Sequence, residues 1–327
     1  MGLTNFPKGV SSFGVPVVGS QGLMTGGNSY FVDPVNGSDS YDGKSPARAK
    51  ATITAGEDLL AAGKNEVLYY LASTSSPTGL SATLTWDKDY THFVGVCAPT
   101  MIGQRARLFQ KSTATGISPL INITATGCSF RNLYIFQGVN DATSLINVQV
   151  TGDRNYFENV HFAGIGNDAN DAANARSLFL DGASENRFVN CVIGLDTIDA
   201  GSAENAELEF DGESSRNVFD YCIIQRRIES NTNHPLVKLT DGYGVGSFTI
   251  FRDCSFIYTS VNAAYTGTTV FSIPVIASPT RKIILQNCVA VSGSTSATNW
   301  DSNSRGILYA NMVAPAASAG GGLATNK

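Results

Sequence analysis

One eight-residue pattern returns six times in this chain, and it restricts the fold more than any other feature. It occupies residues 128–135, 155–162, 186–193, 217–224, 249–256 and 283–290. Its third position is Phe130, Phe157, Phe188, Phe219, Phe251 and Leu285. Its fifth is Asn132, Asn159, Asn190, Tyr221, Asp253 and Asn287, at intervals of 27, 31, 31, 32 and 34 residues. A shorter apolar run precedes each copy, at 120–123, 145–148, 178–180, 208–210, 236–239 and 270–273. A degenerate earlier turn lies at Leu84–Trp86 and Phe93–Val96, and a partial last one at Ile307–Tyr309. The runs are β-branched or aromatic and are broken by Gly, Asp and Asn, which marks strands.

Parallel strands joined by helices need roughly 10 or more residues per crossover, and the spacers here are too short and too rich in Gly and Asn for that. The expected fold is therefore all-β, a right-handed parallel β-helix in which each repeat is one coil stacked ~4.8 Å above the last. Like residues then pile on like. The Phe column forms an aromatic stack inside the solenoid. The Asn column marks a tight turn, because Asn tolerates the left-handed conformation and can bond its own kind one coil away. Seven or eight coils give a column roughly 30–35 Å long.

The ends differ from the body. Residues 1–27 are rich in Gly, Ser and Val with little period, and read as an arm for docking to a partner. Residues 28–80 read as a capping segment, opened by Tyr30–Pro34 and closed by a strand over Glu66–Leu71. Within it Ala49–Ala62 reads as a helix that covers the open end of the solenoid, since an uncapped end exposes apolar side chains and strand edges. Residues 81–313 are the β-helix, and 314–327 a low-complexity tail of Ala, Gly and Ser.

The chain carries 22 basic and 27 acidic residues, a net charge of −5, and only 15% of it is charged. No basic field exists to hold nucleic acid. No apolar run reaches the ~18 residues of a membrane span. The first twelve residues show no secretory signal, and Phe6 stands where myristoylation wants Ser or Thr.

Candidate sites each have a structural counterpart. Cys191, Cys222, Cys254 and Cys288 follow the turn column one per coil and read as a buried ladder of free thiols, joined by Cys97 and Cys128 outside that register. None of the six has zinc spacing. Glu207, Glu209 and Asp211 alternate onto one strand face, as paired glycosidase carboxylates would. Yet Asp181-Gly182, Asp211-Gly212 and Asp241-Gly242 recur every 30 residues, which assigns Asp211 to turns and leaves Glu207 and Glu209 as solvated outer-face residues or weak sugar or cation contacts. His92, His161 and His234 read as surface or half-buried residues outside any catalytic arrangement. Only Trp86 and Trp300 are tryptophans, few for a carbohydrate groove. Asp33, Asn36, Asp39 and Asp42 are dense enough in oxygen to hold Ca²⁺, although Asx turns explain them as well. No catalytic, cofactor or metal residue is assigned, and no cofactor is called for.

Residues 30–46, the capping helix and the Asn-x-Cys coils together resemble pectate-lyase-like right-handed β-helix proteins, over about residues 30–310. The opening Met1–Pro16 looks like the start of head-associated virion proteins of tailed bacteriophages. The lyases of this fold carry Asp/Glu calcium ligands and a basic catalytic residue on one outer strand. Arg226 and Arg227 follow a coil here, but no acidic column stands in register with them. The resemblance therefore implies a structural virion protein and no enzyme. Its expected role is a capsid decoration or cement protein, homotrimeric and assembled in the host cytoplasm. It would sit on the outer surface of the virion and bind the major capsid protein or other virion proteins through its arms. The alternative is a tailspike-like or tail-fibre-like protein that binds a host glycan, or a polysaccharide depolymerase.

Overall fold

The computed structural model describes residues 10–12, 15–18, 27–72, 79–200, 205–229, 235–240, 245–260, 269–273, 282–292, 299–301 and 307–310. Over these residues the chain winds as a right-handed parallel β-helix, and its regular elements are almost all strands. No helix among them is long and apolar enough to cross a membrane. The first sheet stacks Leu84–Trp86, Ile121–Ile123, Ile146–Val150, Arg176–Asp181, Ala206–Asp211, Val237–Leu239, Thr269–Ser272 and Asn299–Asp301. Every neighbouring pair in it is parallel. The second sheet opens with Ser29–Val32, Val67–Leu71 and His92–Val96, then runs through the repeated pattern itself and ends at Ile307–Ala310.

The turn column bends the second sheet. Asn132, Asn159, Asn190, Tyr221, Asp253 and Asn287 all have φ between 51° and 56°, the left-handed region, so each coil turns a corner at the fifth position of the pattern. Asn159 Nδ2 donates to Asn132 Oδ1 at 3.3 Å, the inter-coil bond expected of such a ladder. Inside, Phe130, Phe157, Phe188, Phe219 and Phe251 stack in register with centroids 5.0, 4.6, 4.5 and 4.6 Å apart, all buried. Trp86 joins them as a core residue, stacked on Phe93 at 5.2 Å.

The thiol ladder is present too. Cys191, Cys222, Cys254 and Cys288 are free and buried, and each Sγ donates to the carbonyl of the Phe one coil before: Phe157, Phe188, Phe219 and Phe251. Burial pushes the Cys222 thiol up. A second asparagine ladder went unread in the sequence. It occupies the first position of the pattern, where Asn155 Oδ1 accepts from Cys128 N, Asn186 Oδ1 from Asn155 N, and Asn217 Oδ1 from Asn186 N, at 2.8–3.0 Å.

The cap is shorter than its sequence promised. The helix expected over 49–62 is only Ile53–Glu57, capped by Thr52 Oγ1 on Ala55 N. It lies so close to the sheet that a Cβ on Gly56 would meet Val32 Cγ2 at 2.3 Å, and the chain then breaks from helix so that Ala61 N can donate to Glu66 Oε2. Part of the expected arm is ordered: Val10–Ser12 pairs antiparallel with Val15–Val18. The remainder of 1–26 and the tail 314–327 lie outside the described residues.

Candidate functional site

The first sheet turns alternate side chains outward, and its register lines them up across coils. Thr85, Asn122, Gln149, Phe179, Glu209, Lys238 and Ser272 are consecutive register partners. Their strand neighbours Val148, Leu178, Leu208 and Val237 are buried in the core. The outer row thus carries two amides, an aromatic ring, a carboxylate largely covered by its neighbours and an ammonium group, one per coil. Gln149 Nε2 donates to Asp181 Oδ2 at 3.1 Å, which fixes its amide.

Glu209 is the centre of this row. Its Oε2 accepts from Nε of the buried Arg176, whose Nη1 donates to Ala175 O at 2.6 Å. Its Oε1 accepts from Thr240 Oγ1 at 2.9 Å and lies 3.7 Å from Lys238 Nζ. The carboxylate is therefore rigid and flanked by two cations, and Lys238, about a quarter exposed, is the cation that reaches solvent.

This corrects the expectation that Glu207 and Glu209 are solvated. Both are buried. Nor do they face one substrate: Glu207 turns to the corner of the coil, where Arg226 Nε donates to it at 2.9 Å and Ser177 Oγ at 2.5 Å. Asp211 does belong to a turn, since Ser214 N donates to Asp211 O at 3.2 Å and Gly212 has positive φ, 59°. Asp241-Gly242 lies outside the described residues.

Other expected groups also move. His92 and His161 are buried, not superficial: His92 Nδ1 lies 3.0 Å from Ser129 Oγ, and His161 is held between Gly103 N and Gly194 O. His234 lies outside the described residues, as does the side chain of Trp300. Arg226 is inside the solenoid. Arg227 has one acid in register, Asp199, at 2.9 Å, but Thr259 is its partner on the next coil, so this single carboxylate makes no acidic column. The Asp33–Asp42 loop spends its carboxylate oxygens on protein donors, in turns and across to the helix start. Asp33 accepts from Val35 N and Asn36 N, Asp39 from Ala51 N and Thr52 N, and Asp42 from Lys44 N. No group of three or more His, Cys, Asp or Glu placed to hold a metal ion occurs among the described residues.

Arg176, Phe179 and Lys238 were missed in the sequence. Their signal was available: aligning the short apolar runs by register puts Phe179, Glu209 and Lys238 in one column. Leu178-Phe-Leu180 reads as uniformly apolar, however, and hides the alternation.

No family model and no curated protein sequence matches this chain. Among solved structures it is similar to pectin methylesterase PemA from Erwinia chrysanthemi, at 14% identity over 85% of this chain and 92% of that one, with a TM-score of 0.49. It is also similar to pectate lyase Pel9A (13%, 87% and 82%, TM-score 0.43) and to a rhamnogalacturonan lyase (15%, 81% and 74%, TM-score 0.44). These are likenesses of the β-helix. They nonetheless correct one expectation: each of the three is named as an enzyme, and the reading of this chain as no enzyme is withdrawn.

Proposed function

We propose that this chain holds, and acts on, a linear polysaccharide laid along the outward face of its first sheet. The observation that carries the reading is the in-register row Asn122, Gln149, Phe179, Glu209 and Lys238. A polymer of repeating sugars needs repeating contacts. A solenoid supplies one outward side chain every ~4.8 Å along a straight line. Amides bond hydroxyls, an aromatic face covers the apolar side of a sugar ring, and an anchored carboxylate beside an ammonium group supplies polar chemistry at one point. In this reading Phe179 is the stacking platform, Glu209 the anchored anion and Lys238 the solvent-facing cation. The chain as a virion-borne trimer is a separate proposal, drawn from residues 1–16 and the general build, with the solenoid flank as the oligomer interface.

A panel of neutral and acidic polysaccharides, assayed by affinity electrophoresis and by release of reducing or unsaturated ends, tests this. Phe179→Ala is expected to weaken binding to the best polymer about tenfold, the effect of ~1.4 kcal/mol. Glu209→Gln and Lys238→Met are expected to abolish product release. Variants that bind and release product like the native chain overturn the assignment of this face.

A further inference from the structure

The corner where the second sheet hands the chain to the first is lined by buried polar side chains, one per coil. Asn147, Ser177 and Glu207 are 0, 0 and 2% exposed. Each reaches across the corner. Asn147 Nδ2 donates to Ile135 O at 3.0 Å, Ser177 Oγ accepts from Gly164 N at 3.1 Å, and Glu207 Oε1 accepts from Arg226 Nε at 2.9 Å. Gly194 makes the room, since a Cβ there would sit 2.8 Å from Glu207 Cγ and Cδ.

Arg226 shares the inward parity of its strand with Ile224 and Ile228, and all three are buried. Its Nε serves Glu207. Its Nη1 and Nη2 are buried and have no hydrogen-bond partner among the described residues, and Asn147 Oδ1, further up the same corner, has none there either. Guanidinium N–H groups left so in a low-dielectric interior are strongly disfavoured, so something must accept from them.

Charge decides what. Arg226 and Glu207 cancel, and the second Glu207 oxygen is already taken by Ser177 Oγ. An added anion would leave net negative charge buried in the core, which interiors do not tolerate without a further cation. A neutral acceptor adds none. Water offers two lone pairs and can donate onward to a backbone carbonyl. We propose that the interior corner beside Arg226 is a closed hydration site, with internal water accepting from Nη1 and Nη2. Its polar side chains share the strand parity of the glycan row but stand near the start of each strand, buried at the corner.

Crystals grown in sodium bromide separate the outcomes. The expected result is water density within hydrogen-bond reach of both Nη1 and Nη2 with no anomalous bromide signal there. A bromide peak, or contact with protein atoms alone, overturns the proposal. In solution, ¹⁷O magnetic relaxation dispersion counts long-lived internal waters. The neutral double variant Glu207→Gln with Arg226→Met keeps the corner uncharged and is expected to lose one or two of them. An unchanged count overturns the proposal equally.

Discussion

At the scale of single residues, the turn column shows how backbone conformation chooses side chains. Five of its six members are Asn or Asp, the residues that enter the left-handed region at least expense. The sixth, Tyr221, has φ 56° and is 58% exposed as a residue, so its side chain recovers little of the strain. Tyr221→Asn is therefore expected to stabilise the chain by about 1 kcal/mol, read as a higher urea midpoint at unchanged slope. A lower midpoint would mean that the exposed ring packs on something. The column was legible in the sequence because one conformation repeated six times leaves one residue type behind. The fate of Glu207 was not. Nothing in alternation distinguishes an outward carboxylate from one swung into a corner, because the distinction depends on Arg226, a partner 19 residues away whose own side chain points inward.

At the scale of elements, His161 ties three pieces together. Its Nδ1 accepts from Gly103 N at 3.2 Å, in the connection between His92–Val96 and Arg107–Phe109, and its Nε2 donates to Gly194 O at 2.9 Å. Burial lowers its pKa from 6.5 to about 4, against the smaller opposing effects of Gly194 O and Asp196. The unfolded chain thus binds a proton that the folded one refuses. His161 imposes no such penalty above about pH 6.5, and stability is lost as pH falls from there toward 4, by about 3 kcal/mol at most. The difference in unfolding free energy between native protein and His161→Gln should be flat above pH 6.5 and shrink below it. A difference independent of pH would contradict this account of the imidazole. The strands and the Phe, Asn-turn and Cys ladders were readable because each is a period, although the first-position asparagine ladder went unread. This contact was not, because a lone His joined to a non-repeating loop has no periodic signature.

At the scale of the whole molecule, the repeat has two consequences. Inward, it stacks Phe on Phe and Cys on Cys into a continuous core that each coil shares only with its neighbours. Outward, it turns the first sheet into a ruler. Residues that differ in chemistry, an amide, a ring, a carboxylate and an ammonium group, stand at equal steps along a line. The architecture was legible from that repetition, whereas the working face was not, since function shows where the repeat stops repeating. The direct measurement is a crystal structure of the protein soaked with an oligosaccharide of the polymer it binds best. The account expects sugar density running along the solenoid axis, one ring on Phe179 and polar contacts to Gln149, Glu209 and Lys238. Sugar seated elsewhere on the rod, with this row left to solvent, would contradict it.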